Sequence, residues 1–398
     1  MKKFLAMLLA LTLAMTLAAC GSKDGGDSGK GGDTAGNAIT IAWIGNTTGD
    51  NAQYGIPVRN GAMLYIDQLN AKGGINGKQI QVLEYDDKGD QSESVNAFNL
   101  AADKGATAVI GSVLTGPTIT LADATYEVNM PQISASATAA GVTVMEDGGV
   151  RTNVFRSCFI DPFQGQTMAH YAKERLGAAT AAVLYESGSD YSEGCRDGFV
   201  AACEELGIQI VATEAFATGD KDFNAQMTNI AGASPDVVYM PFYYGEAGLA
   251  ITQGRQAGIT GTFLGADGFG GIKDYASAED LEGTVYGSGY APGTESVAQF
   301  EQDYLDTYGE SVPNMFAPQA YDAAMLLCLG IQAAEDAGLT AGTDEYKQAI
   351  IDAIPAVDGV QGITGTYSFD ENNNPEKSVA MIGLQGGEEV FTEFYSFK

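Results

Sequence analysis

What most constrains this chain is a rhythm: short runs rich in Ile and Val alternate with longer stretches whose apolar residues recur at helical spacing. Residues 39–45, 79–85, 107–110 and 132–134 read as strands. Between them Val58, Ala62, Tyr65, Ile66 and Leu69 fall on one helical face, and 95–104 and 118–128 behave likewise. Strand and helix alternating in this way predict an α/β chain with a mostly parallel sheet covered by helices on both faces. The rhythm restarts after Arg151, with helices over 163–176 and 191–206, strands over 179–185, 209–215, 237–240 and 262–264, and a helix near 245–257. Two similar α/β halves are the simplest account. Past Tyr290, helical patterns at 297–308, 317–337 and 346–354 precede strand-like 365–369, 379–384 and 389–395. No fixed period of solenoid length appears.

The N-terminus constrains location. Lys2 and Lys3 give a basic start, residues 4–19 carry no charge, and Leu17-Ala18-Ala19-Cys20 closes the run with small residues before a cysteine. This reads as a lipoprotein signal peptide over 1–20, cleaved so that Cys20 becomes the first residue and its thiol carries a diacylglycerol. The apolar run is short for a membrane-spanning helix. Residues 21–37 hold Gly, Ser, Asp and Lys with Ala35 as the lone apolar residue, too little to bury, and predict a flexible tether with a reach of roughly 20 to 25 Å. The folded body is therefore expected outside the cytoplasm, held to the cell membrane through its lipid anchor.

Lys and Arg number 20 against 51 Asp and Glu, a formal charge of -31, which opposes contact with nucleic-acid phosphates. Cys158, Cys195, Cys203 and Cys328 form no CxxC and no zinc-type spacing. Cys195 and Cys203 lie two helical turns apart, roughly 12 Å, beyond the ~7 Å a disulfide spans. They read as buried apolar residues. His170 is the sole histidine, and GxSxG, GxxxxGK[ST] and HExxH are absent. An enzyme would lack its base, so no catalytic group, cofactor or metal is expected.

Hydroxyls and glycines concentrate after the strands of the first half. Thr115-Gly116-Pro117-Thr118 follows a strand and opens a helix, so its backbone N–H groups and the hydroxyls of Thr115 and Thr118 can receive a carboxylate. Ser134, Ser136 and Thr138 crowd the end of the next strand, the kind of crevice where small anions bind. Helix capping is the competing use of the same residues. Asp86-Asp87 with Gly89 and Asp90 reads as a strand-ending turn rather than a carboxylate pair, and Gly265-Ala266-Asp267-Gly268 as another turn.

Asn51-Ala-Gln-Tyr-Gly55, Asp67-Gln-Leu-Asn-Ala-Lys-Gly-Gly-Ile-Asn-Gly77 and Glu84-Tyr-Asp-Asp87 closely resemble the leucine/isoleucine/valine-binding proteins of ABC transporters, which are type I periplasmic solute-binding proteins. The likeness continues through Val109-Ile-Gly111, residues 133–138, Asp190-Tyr-Ser-Glu-Gly194 and the Gly265–Gly268 turn. It implies a two-lobed fold with three hinge crossings: lobe 1 over 38–157 and 288–362, lobe 2 over 158–287 and 363–398. It also implies a monomer that captures an amino acid, branched-chain first, and delivers it to an ABC transporter permease. The same fold with another amino acid, an amide or an aromatic acid, or in a sensory receptor, is the alternative. By the resemblance, Thr115 and Thr138 hold the ligand carboxylate and the backbone carbonyl of Ser136 helps hold the ammonium. Tyr191 and Tyr243 close over the ligand, Asp267 neutralises the ammonium, and Tyr54 and Phe316 wall the side-chain pocket. The family disulfide would join Gly89 and Leu114, so it is absent here, and Asp267 replaces a glutamate one methylene longer.

Overall fold

In the computed structural model, which describes residues 38–397, the first half forms a five-stranded parallel sheet. Its strands are β1 (Ala38–Gly45), β2 (Gln79–Asp86), β3 (Val109–Gly111), β4 (Gln132–Ser134) and β5 (Val154–Arg156), in the order β2-β1-β3-β4-β5. The predicted leader with Cys20, and the tether, lie outside the described residues. β1 shows why the sequence run is continuous rather than alternating. Ile39, Ile41 and Trp43 pack with Val58, Ala62 and Ile66 of α1 (Ala52–Ala71), while Ala42 and Ile44 face Ala97, Phe98 and Ala101 of α2 (Gln91–Asp103). Both faces of the strand are buried, as a parallel sheet between helix layers requires. Asp90 fixes the start of α2 by accepting from the Ser92 and Glu93 N–H groups at 2.8 and 3.0 Å. α3 (Thr115–Glu127) starts three residues before the predicted helix, directly after β3.

The second half carries α4 (Asp161–Glu174), β6 (Thr180–Glu186), α5 (Asp190–Leu206), β7 (Gln209–Phe216), α6 (Asn224–Ala233), β8 (Val237–Met240), α7 (Tyr244–Gln256), β9 (Thr262–Gly265), α8 (Ala278–Leu281) and β10 (Val285–Ser288). Then α9 (Ala298–Tyr308), α10 (Phe316–Asp336) and α11 (Asp344–Ala353) return to the first half. There the Tyr321 ring of α10 meets Tyr65 of α1 at 5.1 Å, and its hydroxyl donates to Gln68 at 2.7 Å. A small hairpin, β11 (Asp358–Gly362) with β12 (Gly365–Ser368), precedes β13 (Val379–Gln385) and β14 (Glu388–Tyr395), which rejoin the second sheet. That sheet has seven strands in the order β14-β13-β10-β9-β8-β6-β7. β13 runs antiparallel to β10, and β14 folds back on β13 through Gly386 and Gly387, whose φ angles of 60 and 88° explain the glycines. The expectation of mostly parallel sheets holds: strands that alternate with helices pair in parallel, and the terminal hairpin, which needs no crossover, is the antiparallel part.

β5, α6 and β10 were not legible in the periodicity: β5 is three residues long, α6 buries only Met227 and Ile230, and β10 contains a glycine. The four cysteines among the described residues are free and buried. Gly89 and Leu114 are neighbours, since a Cβ on Gly89 would stand 2.9 Å from Leu114 Cδ1. Asp86 and Asp87 build the turn after β2. Asp86 accepts from the Thr47 and Lys88 N–H groups, and Asp87 from the Gly89 N–H and the Ser112 hydroxyl.

The α1–α10 crossing rests on Gly61, where an added Cβ would lie 1.8 Å from the Ala317 carbonyl oxygen. Gly61→Val is expected to destabilise the protein by about 3 kcal/mol or more, the range of severe overpacking, read as a lower urea midpoint at unchanged slope.

Candidate functional site

Every residue that the resemblance assigns to the ligand site lines one cavity, together with Val113, Leu114 and Gly268. The topology explains the convergence, because most of these residues follow the C-terminal end of a parallel strand, where open α/β sheets place their sites. β3 leads into Val113, Leu114 and Thr115, β4 into Ser136 and Thr138, β8 into Tyr243, and β9 into Asp267 and Gly268. Tyr54 comes from α1, Tyr191 from α5 and Phe316 from the start of α10.

On the first-half side the polar groups are donors. Thr115 is the first residue of α3, a helix start that no side chain caps and whose first turn holds no acidic residue. Its positive end is open toward the cavity. The neighbouring hydroxyls have structural duties instead. Thr118 Oγ1 donates back to the Leu114 carbonyl at 2.8 Å, so Thr118 is not part of the cavity, a correction to the reading of both threonines as donors. Ser134 Oγ donates to the Ser112 carbonyl at 2.9 Å and accepts the Ala137 N–H at 3.1 Å. Ser136 Oγ donates to the Val113 carbonyl at 2.7 Å, which ties the two donor-bearing loops together.

On the second-half side the decisive group is acidic. Asp267 is 2% exposed and forms no ion pair among the described residues. Tyr191 donates its hydroxyl to Asp267 Oδ1 at 2.8 Å and accepts the Gly268 N–H at 2.9 Å, while Gln164 Oε1 accepts the Asp267 N–H at 2.9 Å. Burial pushes the Asp267 carboxyl up from 3.8 to about 6, and the hydrogen bonds from Tyr191 and Gln164 pull against it. The Tyr191 ring stacks on Tyr243 at 5.4 Å, which fixes the hydroxyl. Asp161 lies behind, fully buried, its carboxyl raised by desolvation, with Gln164 Nε2 donating to its Oδ1 at 3.3 Å. Sequence reasoning missed Gln164 and Asp161, which sit in the first turn of α4; Gln164 reads as an ordinary helix residue and Asp161 precedes the predicted helix.

The remaining wall is apolar. The Tyr54 ring meets Phe316 edge-on at 5.0 Å and Tyr243 at 5.4 Å, and its hydroxyl donates to the Gly268 carbonyl at 2.6 Å. His170 is outside the cavity, stacked on Phe397 at 4.2 Å. The arrangement offers donors on one side, a buried anion on the other and a hydrocarbon wall between. Such an arrangement is complementary to a small dipolar solute.

The family model described as periplasmic binding protein matches residues 38–388. The chain belongs to the periplasmic binding protein family. Its members bind solutes and are not enzymes, and the two-lobed type I fold is shared with solved structures. The branched-chain amino acid transporter substrate binding protein LivJ of Streptococcus pneumoniae, in complex with isoleucine, superposes with a TM-score of 0.80 at 31% identity, covering 89% of this chain and 99% of that one. The leucine binding protein LivK of Thermotoga maritima does so with a TM-score of 0.80 at 29% identity, over 90% and 98%. In sequence, this periplasmic binding protein is 30% identical to the leucine-, isoleucine-, valine-, threonine-, and alanine-binding protein of Pseudomonas aeruginosa, over 85% of its own length and 88% of the relative's.

In the unliganded protein, Asp267 should titrate near pH 6 by carbon-13 carboxyl NMR, and Tyr191→Phe should move that value higher by removing a donor to the charged form. The folded-state value exceeds the unfolded one. Asp267 therefore contributes stability fully below about 3.8 and loses it as pH rises through about 6, a trend visible in melts of the ligand-free protein.

Proposed function

We propose that this protein is an extracytoplasmic lipoprotein that captures an amino acid, branched-chain first, between two lobes and delivers it to an ABC importer. The observation that carries the reading is that Asp267, buried without a cation, shares one small cavity with the Thr115 and Thr138 hydroxyls and the open start of α3. A zwitterion supplies what each side lacks: its ammonium pairs Asp267, and its carboxylate occupies the donors. The Ser136 backbone carbonyl adds an acceptor for the ammonium, and Tyr191 and Tyr243 cover the ligand. Buried ions are tolerable only when paired and hydrogen-bonded, so a solute lacking either group binds far more weakly. Tyr54, Phe316, Val113 and Leu114 provide the apolar wall for an aliphatic side chain.

On this reading lobe 1 spans 38–157 and 288–362 and lobe 2 spans 158–287 and 363–398. The packing of α10 on α1 and the pairing of β13 with β10 support that division. The ligand stabilises the closed form by its differential affinity for it, and the permease recognises that form. Cys20 carries the lipid that keeps the body, as a monomer, at the membrane.

A thermal-shift screen of the twenty amino acids on the chain from residue 21 onward tests this. Leucine, isoleucine or valine should raise the melting temperature, and Asp267→Ala should lower their affinity by a hundredfold or more, about 3 kcal/mol, by leaving the ammonium unpaired. A screen in which only a solute without an amine raises it defeats the reading. In calorimetry, leucine affinity should be level between pH 7 and 8 and fall as pH drops below about 6, because a protonated Asp267 no longer attracts the ammonium. Cys20→Ser should move the protein from the membrane fraction to the soluble one.

A further inference from the structure

Arg156, the last residue of β5, is wholly buried and forms no ion pair among the described residues. Its Nη1 donates to the Ala137 carbonyl at 2.9 Å, and its Nη2 donates to the Ala139 carbonyl at 3.0 Å and to Thr143 Oγ1 at 3.0 Å. Its Nε is buried without a partner. The Cys158 thiol donates to the same Ala137 carbonyl at 3.4 Å. The carboxyls of Asp161 and Asp370 act on it through space, without a hydrogen bond. A guanidinium stays protonated even when buried, so a full positive charge stands behind residues 137–139.

Those residues carry Thr138 into the ligand cavity. The Ala137–Thr138 peptide is trans, so a carbonyl turned toward the guanidinium turns the Thr138 N–H the opposite way. Thr138 is 1% exposed, and its N–H finds no acceptor among the described residues. A buried N–H without an acceptor is a place an anion would fill.

We infer that Arg156 is a positioning residue that supplies the positive charge against which a ligand carboxylate binds, acting through the Ala137–Thr138 peptide without touching the ligand. This rests on the amino-acid reading above and deepens it. Arg156 behind one wall and Asp267 in the other align a zwitterion by its dipole. The cavity thereby selects a carboxylate over a neutral amide.

Isothermal titration of leucine and leucinamide separates this from a structural role, since the two ligands differ at the group Arg156 is held to sense. A unit charge one peptide away changes affinity by roughly ten- to a hundredfold at an effective dielectric of about 20. Arg156→Gln should therefore weaken leucine by that factor and leave leucinamide within about threefold, and Arg156→Lys should restore most of the difference. Equal loss for both ligands, or an unchanged ratio, overturns the inference. Should the Gln variant fail to fold, Arg156→His carries the test. Its leucine-to-leucinamide ratio, divided by the wild-type ratio at the same pH, should rise between about pH 8 and 5 as the imidazole gains charge, and a flat quotient is the overturning result. Wild-type protein that binds no leucine defeats the amino-acid reading and this inference together; wild-type binding with an unaltered ratio in the variants defeats the inference alone.

Discussion

A carboxylate held in the interior with no cation among the described residues is the constraint around which this structure is arranged. Burial raises the Asp267 carboxyl above its ordinary range. The Tyr191 hydroxyl donates to it and opposes that rise, which holds the carboxyl to about 6 and leaves the charged form populated and under-compensated. Tyr191 is fixed by stacking on Tyr243, and Gln164 is held between Asp267 and Asp161. A cation arriving in this cavity meets an anion that has already lost its water. The interaction is correspondingly stronger than the same pair formed at a surface.

The contrast with the second buried charge cluster is instructive. Asp322 of α10 accepts the Ile363 and Thr364 N–H groups at 2.7 and 2.8 Å and the Thr364 hydroxyl at 2.6 Å. Lys377 Nζ donates to the Thr364 carbonyl at 2.9 Å and the Tyr367 hydroxyl at 2.9 Å, and that hydroxyl lies 3.2 Å from the Ser157 carbonyl. This network ties residues 157, 322, 364 and 377, where the chain passes between its halves, and it contains both an acid and a base. Desolvation lowers Lys377 to about 8, while its attraction to Asp322 opposes the shift. One cluster is complete within the chain and holds segments together. The other is incomplete among the described residues, and on the proposed reading its missing partner is a solute.

Sequence made the halves legible because parallel strands between helix layers leave an apolar run that periodicity detects, as at β1. The site was legible only in part. Hydroxyl-rich strand ends pointed to loops that line the cavity, but Thr115, Thr118, Ser134, Ser136 and Thr138 look alike in sequence. Rotamer and helix phase decide that Thr118 bonds backward along α3 and Ser134 braces two loops. The resemblance separated Thr115, Ser136 and Thr138 from those two. Gln164, Asp161 and Arg156 gave no signal at all. They are polar residues at the start of a helix or the end of a three-residue strand, and their role depends on which loop packs against them.

Tyr54 joins the two properties a solute-binding cavity needs. Its ring is part of the apolar wall against Phe316, and its hydroxyl bonds the Gly268 carbonyl, next to the acidic residue on the opposite side. Its oxygen also accepts the Tyr244 N–H at 3.3 Å. The ring and hydroxyl are rigidly connected, so a side chain that pushes the ring aside pulls the oxygen away from both partners. A hydrogen bond of this kind contributes about 1 kcal/mol, and leaving the Gly268 carbonyl buried and unpaired adds a further loss of similar size. A misfit at the hydrocarbon end of a ligand is thereby registered in the contact between the halves. On the proposed reading, selectivity for side-chain shape and association of the two halves are in this way coupled through the same residue.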